Sequence, residues 1–155
     1  MKKFFPLLLL MIFACAASAA EVRTQALTVP VPQGWTSEID SNGSVELRSP
    51  NRKTRVTITA QKAATAQERQ DLAPAAIAGY LSEQLREAGV KTSDVTEKDG
   101  VYTFTSEGTD GKTDNPLHSE FRFSMEKGVW SVTIITQNGA DDPAAAGVPA
   151  SIRYR

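Results

Sequence analysis

LHSEFRFSMEKGVWSVTIITQ, residues 117–137, alternates apolar and polar side chains in two runs around a Lys-Gly pair. In its first half Leu117, Phe121, Phe123 and Met125 fall on one side of an extended chain. His118, Glu120, Arg122 and Ser124 fall on the other, because successive strand side chains point to opposite faces. Trp130, Val132 and Ile134 alternate in the same way in the second half, and Lys127-Gly128 turns the chain between them. Two runs with a period of two around a tight turn are the long central hairpin of an antiparallel sheet.

The same period extends outward. KTSDVTEK (91–98) and VYTFTSE (101–107) are strands separated by Asp99-Gly100, a pair that two-residue hairpin turns favour. Tyr102 and Phe104 share one face and read as core, with an exposed aromatic recognition strip as the alternative. Further upstream Leu27, Val29 and Val31 alternate, then Val45 and Leu47, then Val56, Ile58 and Ala60. These three short strands are expected to pair as an antiparallel meander with polar outer faces. Pro30 and Pro32 cannot donate to a ladder, so the first strand is an edge or a strand end that guards the sheet against foreign strands. Gly34 then turns the chain so that Trp35 folds back over the core; stacking on a ligand is the alternative role for Trp35.

Between Leu72 and Ala88 the period changes. Ile77, Tyr80, Leu81, Leu85 and Ala88 are spaced by three and four, the stripe of an amphipathic helix, with Ser82, Glu83, Arg86 and Glu87 on its solvated side. Pro74 suits the first turn and Gly89 the stop. GTDGKTDNP (108–116) is expected to be a polar, mobile loop. The tail from Asn138 to Pro149, rich in Ala, Gly, Pro and Asp and interrupted by Gly147 and Pro149, is expected to hold one short helical turn. The order predicts an α+β domain: an antiparallel sheet of about six to seven strands with one main helix packed on one face.

The first twenty residues read as an export leader and the remainder, 21–155, as a single domain. Lys2 and Lys3 precede an apolar run from Phe4 to Ala14, too short to span a bilayer, and small residues up to Ala19 and Ala20 offer the cleavage site. Ile12-Phe13-Ala14-Cys15 offers the alternative of lipidation at Cys15, which would tether the domain to a membrane surface. A periplasmic or secreted bacterial location follows, with a membrane partner only if Cys15 is lipidated. Loss of Cys15 would leave no cysteine, so the core alone would hold the fold. Without Lys2 and Lys3 the chain carries 15 basic against 18 acidic side chains, a balance that argues against a nucleic-acid partner.

Residues able to do chemistry are sparse. His118 is the one histidine, on the polar strand face near Glu120 and Arg122. A base beside a carboxylate can move protons, but no motif supplies a nucleophile, so the bland reading is a charged exposed strand. Asp110 to Asn115 and the pair Asp141-Asp142 carry oxygen ligands without the spacing of a calcium loop, and Asp141-Asp142 reads better as a helix cap or solvated turn. No metal and no cofactor are expected, and no enzyme.

Val31-Pro32-Gln33-Gly34-Trp35, Tyr80-Leu81-Ser82-Glu83-Gln84-Leu85, the strand 129–136 and Ser151-Ile152-Arg153 together resemble the PsbP-like and DcrB-like superfamily of small exported domains. The resemblance spans nearly all of residues 21–155 and implies a PsbP-like sandwich. It implies a non-catalytic domain that binds a protein partner in the cell envelope as an accessory or assembly factor. Trp35, His118, Glu120 and Arg122 are the residues proposed for binding. The alternative is a periplasmic immunity or inhibitor protein against a toxin or wall hydrolase, since mild acidity would complement a basic target.

Overall fold

The computed structural model describes residues 20–155. Lys2, Lys3, Cys15 and Ala19 lie outside the described residues, and Ala20 is exposed where the described chain starts. The central hairpin is present. β9 (Pro116–Glu126) and β10 (Val129–Asn138) pair antiparallel from Val129 against Glu126 to Asn138 against Leu117. Lys127 and Gly128 have φ of 52° and 73°, the two left-handed residues that a type I′ turn requires. On its other side β10 pairs with β5 (Thr54–Lys62), so β10 is a central strand buried on both faces.

Eight strands make this main sheet. Beyond β5 lie β4 (Val45–Arg48) and β3 (Thr36–Ile39); beyond β9 lies β8 (Val101–Thr109), which carries both β6 (Lys91–Thr92) and β7 (Thr96–Lys98). All pairings are antiparallel. The β7–β8 turn is again Asp99-Gly100, with φ of 53° and 78°. KTSDVTEK is thus two short strands, not one.

Each face of the sheet is covered over only part of its width. One face carries Phe104, Phe121, Phe123 and Val132, on which α2 (Pro74–Glu87) lies. The phase of α2 differs from the expected stripe. Ala78 and Ser82 are its fully buried residues, flanked by half-buried Ile77, Leu81 and Leu85, whereas Tyr80 is 67% exposed and Ala88 is exposed. The rings explain this. Phe104 stacks on Phe121 at 4.6 Å and on Phe123 at 5.9 Å, and three phenyl groups fill the interlayer, so the helix approaches through its smallest side chains. Ser82 Oγ is buried there with no hydrogen-bond partner. Ser82→Ala should therefore stabilise the domain by about 1 kcal/mol, by removing an unsatisfied hydroxyl and improving helix propensity. A rise in the urea midpoint checks this; a fall would mean that the hydroxyl is satisfied.

The other face carries a second layer over β4, β5 and β10. Three strands, β1 (Glu21–Arg23), β2 (Leu27–Pro30) and β11 (Arg153–Tyr154), form a small sheet with β2 in the middle. Leu27, Val29 and Val31 pack with Val45, Leu47, Val56, Ile58 and Ile135. This corrects the expected meander, whose first strand is β3 and not the Leu27–Val31 run. Pro30 does end its strand, but β2 has a partner on each side and guards no edge. Alternation showed that the run was a strand, while its partner β11 lies at the far end of the described chain, where local pattern cannot point. Arg153 reaches Glu21 at 2.6 Å across β2. The hydrogen bond from Arg23, aided by both arginine charges, holds the Glu21 carboxyl below its usual range.

The tail is also more ordered than expected. α3 (Pro143–Ser151) is a nine-residue helix. Asp142 caps it by accepting the Ala144 N–H, and Pro143 sits in the first turn. Pro149 lies inside the helix and forfeits one backbone bond, yet Ala145 and Val148 are fully buried in the core. That burial outweighs the lost bond. A further short helix, α1 (Ala66–Asp71), starts on a reciprocal capping box between Thr65 and Glu68.

Trp35 sits as expected. Its N–H donates to Pro32 O at 3.0 Å, Gly34 has φ of 78°, and the half-buried indole packs against the core. A Cβ on Gly34 would sit 3.4 Å from Pro50, on a backbone that side chains rarely adopt.

Candidate functional site

On the face that carries the second layer, that layer stops at β10 and leaves β9 and β8 open. Register places Glu107 opposite His118, Thr105 opposite Glu120 and Thr103 opposite Arg122. His118 Nδ1 lies 2.6 Å from Glu107 Oε1, and Arg122 Nη1 donates to Glu120 Oε1 at 3.1 Å. The four side chains are between 35% and 50% exposed. His118, Glu120 and Arg122 therefore form one strip, as their alternation indicated. The carboxylate on His118 comes from β8 and not from Glu120. Glu107 was missed because finding it requires the β8–β9 register.

α3 borders this strip and shapes it. At one end a hollow of about 200 Å³ lies among His118, Glu120, Gln137, Asp142, Pro143 and Ala146. At the other a hollow of about 180 Å³ lies among Arg122, Ser124, Thr133, Pro149, Ile152 and Tyr154. Fixed polar contacts stiffen both. With its amide oxygen and nitrogen exchanged, the orientation that its neighbours favour, Gln137 donates to Asp141 Oδ1 and accepts from the Asp142 N–H, both at 2.9 Å. Ser131 Oγ is 2.9 Å from Ser124 Oγ and 2.7 Å from the Tyr154 hydroxyl. A rigid floor, two shallow hollows and alternating charge can seat protruding side chains of another chain.

Trp35 is not part of this strip; it precedes β3, at the opposite side of the sheet from β9. The loop expected to be mobile is organised by Asp110, which accepts the Lys112 N–H on Oδ1 at 2.8 Å and the Asn138 amide on Oδ2 at 3.0 Å. With both oxygens engaged, Asp110 is a turn-former. Among the described residues no group of three or more His, Cys, Asp or Glu side chains gathers as metal ligands. Also among the described residues, no helix is long and apolar enough to cross a membrane.

A second surface escaped the sequence reading. Arg48, Arg52, Lys53 and Arg55 gather around a hollow of about 250 Å³ at the β4–β5 turn. RSPNRKTR (48–55) holds that signal, which the acidic balance of the whole chain hides.

No family model and no curated protein matches this sequence. Solved structures do match it. A crystal structure from Bacteroides thetaiotaomicron VPI-5482 aligns with a TM-score of 0.55 and 16% identity, over 83% of this chain and 45% of that one. This chain therefore spans under half of that molecule, and the likeness shows the fold alone. A crystal structure of LpqN, described as involved in cell envelope biogenesis of Mycobacterium tuberculosis, aligns with a TM-score of 0.48 and 12% identity, over 90% of this chain and 87% of that one. Both neighbours are bacterial, and neither is described as PsbP-like or DcrB-like.

Proposed function

We propose that this protein is an exported, non-catalytic domain of the PsbP-like and DcrB-like kind that binds a protein partner in the cell envelope. The observation that carries the reading is the open half-face of β8 and β9. Glu107–His118 and Glu120–Arg122 form a charged strip on a rigid sheet, with a hollow on either side against α3. The hollows, at about 180 and 200 Å³, are smaller than the ~300–1,000 Å³ usual for small-molecule sites. They suit single side chains of a partner. The leader expected over residues 1–20 and the resemblance to envelope accessory domains agree with the same reading.

The Glu120–Arg122 ion pair and the Glu107–His118 contact, whose side chains are between a third and a half exposed, contribute little to binding strength but fix partner choice and orientation. Reversal of one charge should therefore cost more than its removal. The test is co-purification from envelopes with the wild-type chain and with Arg122→Glu. The wild-type chain should recover one stoichiometric protein, and Arg122→Glu should weaken that recovery at least tenfold at unchanged melting temperature. Equal recovery by both forms would contradict the assignment to this strip. Conversion of a substrate by the purified protein would contradict the non-catalytic reading.

A further inference from the structure

Among the described residues β3 is the last strand at one end of the main sheet, and its outer edge is open. The turn that follows fixes which backbone groups face out. Asp40 N–H donates to Ser44 O at 3.0 Å, so Asp40, Glu38 and Thr36 aim their amides and carbonyls at β4. By the alternation of an antiparallel ladder, Ser37 and Ile39 aim theirs away from the sheet. Among the described residues neither backbone finds a partner. The opposite end of the sheet is treated differently. There Arg86 of α2 donates to Thr92 Oγ1 at 2.7 Å, Ser93 O at 2.8 Å and Asp94 Oδ1 at 3.2 Å, closing the edge. β3 carries no proline and no lysine, two usual devices for blunting an edge.

The surroundings of β3 define what fits it. On one face Ile39 is 48% exposed and borders a cleft of about 490 Å³ with Ala26, Ala60, Gln25, Gln61 and Lys62. On the other face Glu38 stands opposite Glu46. Arg48 is paired with Glu46, so among the described residues Glu38 has no cation. Self-pairing is disfavoured. A second copy added antiparallel, with Ser37 opposite Ile39, sets Glu38 directly against its own counterpart, about 4.5 Å apart at Cα, and like charges there repel.

We propose that β3 is a strand-addition site for an extended segment of a partner protein. That segment runs antiparallel to β3. It carries an apolar residue beside Ile39, reaching into the cleft, and a lysine or arginine opposite Glu38. The site is separate from the β8–β9 strip, and its test uses defined peptides, so its failure leaves the reading of that strip standing.

The probes are a fluorescent peptide, acetyl-Thr-Val-Lys-Val-Thr-amide, and its twin with glutamate in place of lysine, titrated into the purified protein as recovered from the cell. The lysine peptide should bind about 1.4-fold to fivefold more tightly, the range of one cross-strand charge pair. It should also slow amide exchange at Ser37 and Ile39. Ser37→Pro removes an outward donor while sparing the ladder to β4, and should weaken binding at least tenfold. Glu38→Lys should invert the peptide preference, which keeps the test decisive if the proline variant does not fold. Equal affinity for the two peptides, no binding of either, or wild-type dimers that Ser37→Pro dissociates would each overturn the proposal.

Discussion

Phe123→Ala should lower the stability of this domain by about 3–5 kcal/mol, the range for deleting a buried phenyl group. Phe123 is fully buried and stacks against Phe104, which in turn stacks on Phe121. Removal takes one ring from a three-ring layer, and α2 cannot collapse into the space easily. Ala78 and Ser82 already bring that helix close, and β9 is held on both sides, by β8 and β10. Whole domains are stable by roughly 5–15 kcal/mol, so the variant should melt far below the wild type or lose cooperative unfolding. Thermal melts followed by tryptophan fluorescence check it, since Trp130 packs in the same cluster. A loss below about 1 kcal/mol would show that the ring layer is not what α2 rests on.

Ala145→Asp should be comparably severe, at about 3–5 kcal/mol, for a different reason. Ala145 is fully buried in the apolar cluster that includes Leu27, Val29, Val56, Ile58 and Ile135, which would surround an added carboxylate with hydrocarbon. Burying an unpaired charge is costly enough that the structure yields first. The protein has two ways to respond. Either the whole fold is lost, or α3 undocks and the main sheet survives with its second layer frayed, which would cap the cost at the docking energy of α3. Urea unfolding followed by far-ultraviolet circular dichroism separates these outcomes by the number of transitions. A variant as stable as wild type would mean that α3 does not pack on the sheet.

Ala145 also illustrates where sequence reading reached its limit. Gly147 and Pro149 read as breakers, and by propensity they are, but Ala145 and Val148 bury enough apolar surface to hold the helix. The two hairpins were legible because Asp99-Gly100 and Lys127-Gly128 are local chemistry: both turns need left-handed backbone at both positions. β3 escaped notice because TSEI contains one apolar residue and no alternation. The helix was found with its phase shifted, since Tyr80 scores as apolar while Ser82, which is buried, does not. At the candidate site, alternation placed His118, Glu120 and Arg122 together correctly. It could not supply Glu107, α3 or the hollows between them, because those depend on register and on a helix folding back from beyond the hairpin.

The open strip of β8 and β9 is proposed to work by holding another protein. Site-specific photo-crosslinking in intact envelopes tests it most directly, with p-benzoylphenylalanine placed at position 122 in one strain and at Glu83, on the solvated side of α2, in another. Position 122 should yield a single discrete adduct with one envelope protein, and position 83 should yield none. Adducts at position 83 alone, or no adduct at position 122, would contradict the account.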